Sequence, residues 1–269
     1  TIATGGFSTK QASIAAFNSP AIEYVITFFM FVSGVNLSLL YLAIFKVRPM
    51  ALLRDTEFKT YFGVVAGFSL VIGVGLFFTT DMGAMEALRA SLFQVVSLQT
   101  TTGFATVNYA VWMPLLWLLL CALMFIGACS GSTSGAMKCA RISILFKVMW
   151  NEFKRIVHPN AVIPVRMTGR IIPTAVQSAI LAYTVIYIFM LVAGLFVNMA
   201  LGVDFLDAFS LSVASVGNVG PALGNYGPMD SFATLPCAVK WFSAFQMLVG
   251  RLEFFAVLLL LTPVFWRRR

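Results

Sequence analysis

The sequence predicts an all-α membrane protein of spanning helices and re-entrant half-helices, on three observations. Of 269 residues, 60% are hydrophobic and only 10% charged, against about 25% charged in an ordinary soluble domain. The apolar residues gather in long runs at roughly 20–45, 60–79, 111–150, 171–201 and 233–265. Two shorter helix-like segments, at about 84–98 and 204–215, are each followed at once by a glycine-containing polar stretch.

Each long run supplies the roughly 20 apolar residues that a crossing needs, which gives five candidate transmembrane helices. The two short segments fall below about 30 Å of hydrocarbon at about 1.5 Å per residue. Charge orients the chain. Lys46, Arg48, Arg54 and Lys59 lie in the first connection, Lys138, Arg141, Lys147, Lys154, Arg155, Arg166 and Arg170 in and around the second, and Arg267, Arg268 and Arg269 at the end. Only Lys10, Arg89, Lys240 and Arg251 fall elsewhere. The positive-inside rule makes those three regions cytoplasmic. The net charge of +8 then reads as topology and contact with membrane lipid headgroups, not as a nucleic-acid surface.

The segment between 60–79 and 111–150 must start and end outside, so it dips into the membrane and returns. The same holds between 171–201 and 233–265. The unit helix, half-helix, loop, helix therefore occurs twice in one orientation. The shift that superposes Gly103 on Gly220 places Ser91-Leu92-Phe93 near Ala208-Phe209-Ser210, a repeat of pattern more than of identity. Residues 1–59 look like the back half of a further unit, 60–150 and 171–269 are complete units, and 151–170 is a cytoplasmic linker. A chain that begins at Thr1 without an initiator Met reads as part of a longer protein.

Three stretches place glycine in non-helical backbone at membrane depth: Thr4-Gly5-Gly6-Phe7-Ser8, Thr100 to Thr106 around Gly103, and Gly217-Asn218-Val219-Gly220-Pro221. Such backbone persists only where protein buries it or where it lines a wet cavity, and glycine permits dihedrals that turn successive carbonyls one way. Rings of carbonyl oxygens replace an ion's hydration shell in K⁺ filters. A half-helix ending there points its partial negative terminus at the ion. Asp81, Glu86, Asp204 and Asp207 sit near the starts of the half-helices, where each contributes about 0.3–1 kcal/mol.

In the run 111–150, the segment Gly127-Ala128-Cys129-Ser130-Gly131-Ser132-Thr133-Ser134-Gly135 repeats glycine every fourth residue. On an intact helix this makes a small packing face; alternatively, Gly, Ser and Thr together unwind the helix. Arg251 is the only basic residue deep in the last run. Burying it costs at least about 2.5–3.5 kcal/mol, so it should face a wet cavity or a partner. Pairing with Glu253 is disfavoured because residues two apart point to different helix faces. Cys121, Cys129, Cys139 and Cys237 show neither zinc nor disulfide spacing and read as packing residues, and His158 as a solvated loop residue.

The motifs TGGFST (4–9), TTTGFATVNY (100–109), GACSGSTSGAMK (127–138), SVGNVGPALG (215–224) and GRLEFFAVLLLLTPVFW (250–266) resemble the Trk/Ktr/HKT superfamily of potassium transporters, and within it the TrkH-type bacterial subunits. The resemblance covers essentially the whole chain. It implies a potassium-channel-like pore of four parallel M1-P-M2 repeats, with 1–59 ending the second, 60–150 forming the third and 171–269 the fourth. Carried over residue by residue, ion-facing carbonyls belong to Thr4, Gly5 and Gly6, to Thr101, Thr102 and Gly103, and to Asn218, Val219 and Gly220. The same resemblance makes 127–138 an intramembrane gating loop, with Gly127, Gly131, Ser132, Thr133 and Gly135 in it, Lys138 anchoring its cytoplasmic end and Arg251 raising the barrier to cations. It further implies K⁺ as the transported ion, the bacterial inner membrane, a homodimer and a cytoplasmic TrkA-type regulator carrying NAD and ATP sites. This chain itself has no GxGxxG opening a βαβ unit and no Walker loop, so no organic cofactor is expected on it. Two rivals remain: a secondary cation transporter, which more often shows inverted repeats, and an intramembrane enzyme, for which Ser130 to Ser134 lack a neighbouring base.

Overall fold

The computed structural model describes residues 1–47, 49–252 and 254–266. Its helices are, in order, α1 (Pro20–Ser33), α2 (Leu37–Ile44), α3 (Pro49–Arg54), α4 (Thr56–Thr79), α5 (Ala84–Gln99), α6 (Pro114–Phe125), α7 (Cys139–Val157), α8 (Thr174–Ala200), α9 (Phe205–Gly217), α10 (Cys237–Arg251), α11 (Phe254–Leu261) and α12 (Pro263–Trp266). Strands β1 (Arg166–Met167) and β2 (Arg170–Ile171) form a small antiparallel hairpin.

Of the five expected crossings, α4 and α8 are single helices long and apolar enough to span a membrane, about 36 and 40 Å at the helical rise. Only 28% and 22% of their apolar windows are buried in the protein. Val74, Phe78, Val185, Phe189 and Phe196 point outward, where lipid tails solvate them as well as another helix would.

The other three runs are not continuous helices. α1 and α2 meet at 105°, and α10 and α11 at 113°, while 111–150 divides into α6 and α7 around an unwound segment, 126–138. At the first break, the Asn36 side chain accepts the Ser38 N–H at 2.9 Å and so caps α2. Gly34 lies there against the Tyr61 ring and the Thr100 methyl, leaving no room for a side chain. α4 starts at Thr56, ahead of the expected unit boundary at 60, because Asp55 accepts the Phe58 N–H at 2.9 Å as its cap.

The short helices α5 and α9 occupy the interior. α4 packs along α5, α8 along α9, and α10 across α9. Ser91, Gln94, Ser97 and Gln99 of α5 and Ser210, Ser212 and Ser215 of α9 have no exposed surface. The largest apolar cluster joins α1, α4, α5 and α6 through Met30, Tyr61, Ile72, Phe93 and Leu120; a second joins α8 to α11 through Tyr187, Val249 and Phe254. Two of the basic connections lie side by side. Thr168 in the β-hairpin turn donates to Asp55 at 3.0 Å, and Lys147 donates to the Arg166 carbonyl at 2.8 Å. The basic residues Arg48 and Arg267 to Arg269 lie outside the described residues.

Gly194 marks where α8, α9 and α10 approach most closely: a Cβ there would overlap Gln246 and Ser212. Gly194→Val should therefore lower the thermal unfolding midpoint in detergent, at an overpacking cost of about 1–3 kcal/mol. Gly67→Ala, at a helical position with nothing within 4 Å, should not.

Candidate functional site

Three loops share one backbone geometry. Thr4 and Gly6 have φ of 49° and 64°, Thr101 and Gly103 54° and 78°, Asn218 and Gly220 56° and 108°. The residue between each pair, Gly5, Thr102 or Val219, does not share the left-handed conformation. In each loop the first residue donates its N–H to the carbonyl three residues back: Thr4 to Thr1 (3.2 Å), Thr101 to Leu98 (3.1 Å) and Asn218 to Ser215 (3.1 Å). The two loops that follow a described helix also close a bond five residues back, Thr102 to Ser97 at 2.8 Å and Val219 to Ala214 at 2.9 Å. These are Schellman closures, in which the left-handed Thr101 and Asn218 turn the chain out of α5 and α9.

The loops converge. A Cβ on Gly6 would strike the carbonyl oxygen of Thr102, and one on Gly103 the carbonyl oxygen of Val219; Gly220 meets nothing within 4 Å. Glycine is thus required at Gly6 and Gly103 twice over, by a positive φ and by a neighbouring carbonyl in the space of a side chain. Gly5, Gly6, Gly103, Val219 and Gly220 line one cavity of about 730 Å³, shared with Lys10 and Asp230. Behind the loops, Ser97 Oγ donates to the Phe104 carbonyl at 2.6 Å. Asp207, 4% exposed, accepts from the Asn225 backbone at 3.1 Å and side chain at 2.8 Å. Asp81, Glu86 and Asp204 are exposed.

The unwound segment lies against the first residue of every loop. Thr4 Oγ1 donates to the Thr133 carbonyl at 2.9 Å, Thr101 Oγ1 accepts the Gly135 N–H at 2.7 Å, and a Cβ on Gly135 would meet the Gly217 carbonyl and Asn218. Arg251, exposed at the end of α10, donates to the same Thr133 carbonyl at 2.8 Å. Lys138 donates to the Ser134 carbonyl at 2.5 Å. Ser132, Thr133, Gly135, Lys138, Gly250 and Arg251 line a second cavity of about 180 Å³. Gly127 and Gly131 have their partners elsewhere in the segment and at the α1–α2 bend. Gly127 donates to the Met137 carbonyl at 2.8 Å and Gly131 packs on Asn36 with φ 76°. Glu253 lies outside the described residues. Among the described residues no three His, Cys, Asp or Glu side chains group as a metal site.

Sequence reasoning missed Glu57, whose carboxylate accepts the N–H groups of Ser130 and Ala140. Its neighbours Arg54 and Lys59 make it look like one more solvated charge at a helix start. The signal was an acidic residue at a membrane boundary otherwise rich in lysine and arginine.

This architecture defines a helical membrane protein that holds converging non-helical loops on short buried helices. The family model described as TrkH, cation transport protein, matches residues 1–267, and the chain belongs to that family. It is 39% identical over 269 residues to the Trk system potassium uptake protein TrkH of Salmonella typhimurium, covering 99% of this chain and 55% of that protein. It is 40% identical over 271 residues to the protein of the same name in Escherichia coli K12, again 99% and 55%. The crystal structure of the potassium transporter TrkH from Vibrio parahaemolyticus superposes with a TM-score of 0.93 at 37% identity, over 99% of this chain and 57% of that one. The chain spans about half the length of the curated relatives it matches.

Thr101→Val keeps the shape but removes the acceptor of the buried Gly135 N–H, an orphaning that costs about 1–3 kcal/mol. Amide hydrogen exchange at 133–137 should speed up by one to two orders of magnitude, roughly the same range, and Thr101→Ser should restore protection.

Proposed function

We propose that the full protein to which this chain belongs takes up K⁺ across the bacterial inner membrane through a carbonyl-lined filter. The observation that carries the reading is the shared backbone at Thr4–Gly6, Thr101–Gly103 and Asn218–Gly220, in which the first and third residues are left-handed and the one between is not, with glycines of two loops packed on carbonyls of the next. Alternation of this kind keeps successive carbonyls on one side of a strand, and several such strands around an axis replace an ion's water. The buried helices α5 and α9 end at these loops and direct their partial negative ends toward the same place.

The segment 127–138 then serves as the gate. It lies directly behind all three loops, and Arg251 reaches into it, so a cation leaving the filter meets both a physical plug and a positive charge. In this reading α4–α5–α6/α7 and α8–α9–α10 are the third and fourth parallel M1-P-M2 repeats. Residues 1–59 close the second, and the ring's remaining side comes from the part of the protein that the relatives possess beyond this chain. The protein works as a homodimer with a cytoplasmic TrkA-type nucleotide-binding regulator. That regulator acts on the basic side, where Lys147 reaches the Arg166 carbonyl.

Rubidium-86 uptake by the full-length protein in liposomes tests this. Gly103→Ser should reduce uptake to the level of empty vesicles, because its side chain displaces the Val219 carbonyl. Arg251→Gln should raise basal uptake severalfold while leaving K⁺ over Na⁺ preference unchanged. A carrier without a carbonyl filter would keep its flux in Gly103→Ser.

A further inference from the structure

We propose that Glu57 is the latch of the gate, a positioning residue on α4 that holds the unwound segment shut by bonding both the segment and the first turn of α7. The inference rests on the gating role assigned above to 127–138. Glu57 lies in the first turn of α4 and is 7% exposed. One carboxylate oxygen accepts two backbone donors from different places, the Ser130 N–H within the segment and the Ala140 N–H in the first turn of α7, the latter at 3.2 Å.

Three features make this more than incidental packing. First, α7 begins at Cys139 with Lys138 as its cap residue and no side-chain cap bond of its own. Its first N–H groups need outside acceptors, and Glu57 brings a carboxylate to the positive end of the helix. Second, an ionised acceptor binds N–H about twice as strongly as a neutral one, and a buried carboxylate is tolerated only when it is hydrogen-bonded or paired. Third, the contact continues one turn along both helices, where Ser143 Oγ meets Thr60 Oγ1 at 3.2 Å. α7 therefore moves against α4 only when Glu57 releases it. The same oxygen that holds α7 holds Ser130, three residues from Thr133, the carbonyl that Thr4 and Arg251 both bind. Displacement of the exposed cytoplasmic part of α7 thus reaches the segment behind the filter through one carboxylate.

The test compares Glu57→Gln, Glu57→Ala and Glu57→Asp with the parent in full-length protein, by rubidium-86 uptake in liposomes without regulator and with Gly103→Ser as the blank. Glutamine keeps one neutral acceptor and alanine none, so basal uptake should rise about three- to tenfold in Glu57→Gln, the span between charged and neutral hydrogen bonds, and further in Glu57→Ala. Glu57→Asp should fall back toward the parent. K⁺ over Na⁺ preference should stay at the parental value in all three, a readout that damage to a merely structural residue would degrade. Parental uptake above the blank with Glu57→Gln unchanged or slower overturns the latch alone. Failure of Glu57→Gln to yield monodisperse, folded protein overturns it in favour of a structural role. Parental uptake equal to the blank overturns the transport reading and the latch with it.

Discussion

A peptide group that leaves a helix inside hydrocarbon loses its partner one turn away, and no water replaces it. This chain leaves the helix at several depths, and its breaks satisfy one another. Cys129 in the unwound segment donates to the Gly34 carbonyl at the α1–α2 bend (3.0 Å), and Leu37 beyond that bend donates to the Gly131 carbonyl (3.2 Å). Cys139 gives its N–H to the Ala128 carbonyl (3.0 Å) and its thiol to the Gly127 carbonyl (2.9 Å). Gly135 turns to Thr101, and Thr133 to Thr4 and Arg251. Neither break is tolerable without the other, which is why both lie around the same loops.

The same economy explains why residues that dislike the left-handed region occupy it. Thr4, Thr101 and Asn218 all have positive φ, at a price of about 1–2 kcal/mol for a residue with a Cβ. Glycine would remove that strain. Each of the three, however, uses its side chain to hold another element: Thr4 the Thr133 carbonyl, Thr101 the Gly135 N–H, and Asn218 the Met247 carbonyl at 3.0 Å. A strained backbone persists where the surroundings over-determine it, and here the strained residue supplies the determining contact itself. Glycine stands two residues later in each loop, and at Gly6 and Gly103 a carbonyl of the next loop fills the space a side chain would need.

Much of this was legible from composition and pattern. Long apolar runs located α4 and α8, and short runs followed by glycine located α5 (expected 84–98, found Ala84–Gln99) and α9 (expected 204–215, found Phe205–Gly217). The breaks were harder to read. Hydropathy passes straight through Gly34-Val35-Asn36 and through Phe125 to Cys129, because the side chains there stay apolar or small while the backbone unwinds. Whether 127–135 remained a glycine-faced helix or opened into a loop depended on acceptors far away in sequence, Gly34, Thr101 and Glu57, which no local signal specifies. Thr4, Thr101 and Asn218 were visible as neighbours of glycine, yet their side-chain partners were not, since those contacts span 129, 34 and 29 positions.

The site is not symmetric between the two helix, short helix, loop, helix units of this chain. α10 stands to α8 and α9 as α6 stands to α4 and α5, but α6 gives way to an unwound segment after Phe125, whereas α10 continues to Arg251. In an assembly of identical subunits every such helix would have to break alike, and several loops would compete for the same space behind the filter. Here one loop fills that space, and the helix from the other unit contributes the charge that meets it. In the proposed gate, a single segment held by Glu57 on one side and by Arg251 on the other is withdrawn by moving one helix, α7, while the short helices α5 and α9 stay packed. On that proposal, opening exchanges a small set of hydrogen bonds and leaves the apolar core around Tyr61, Phe93 and Leu120 intact.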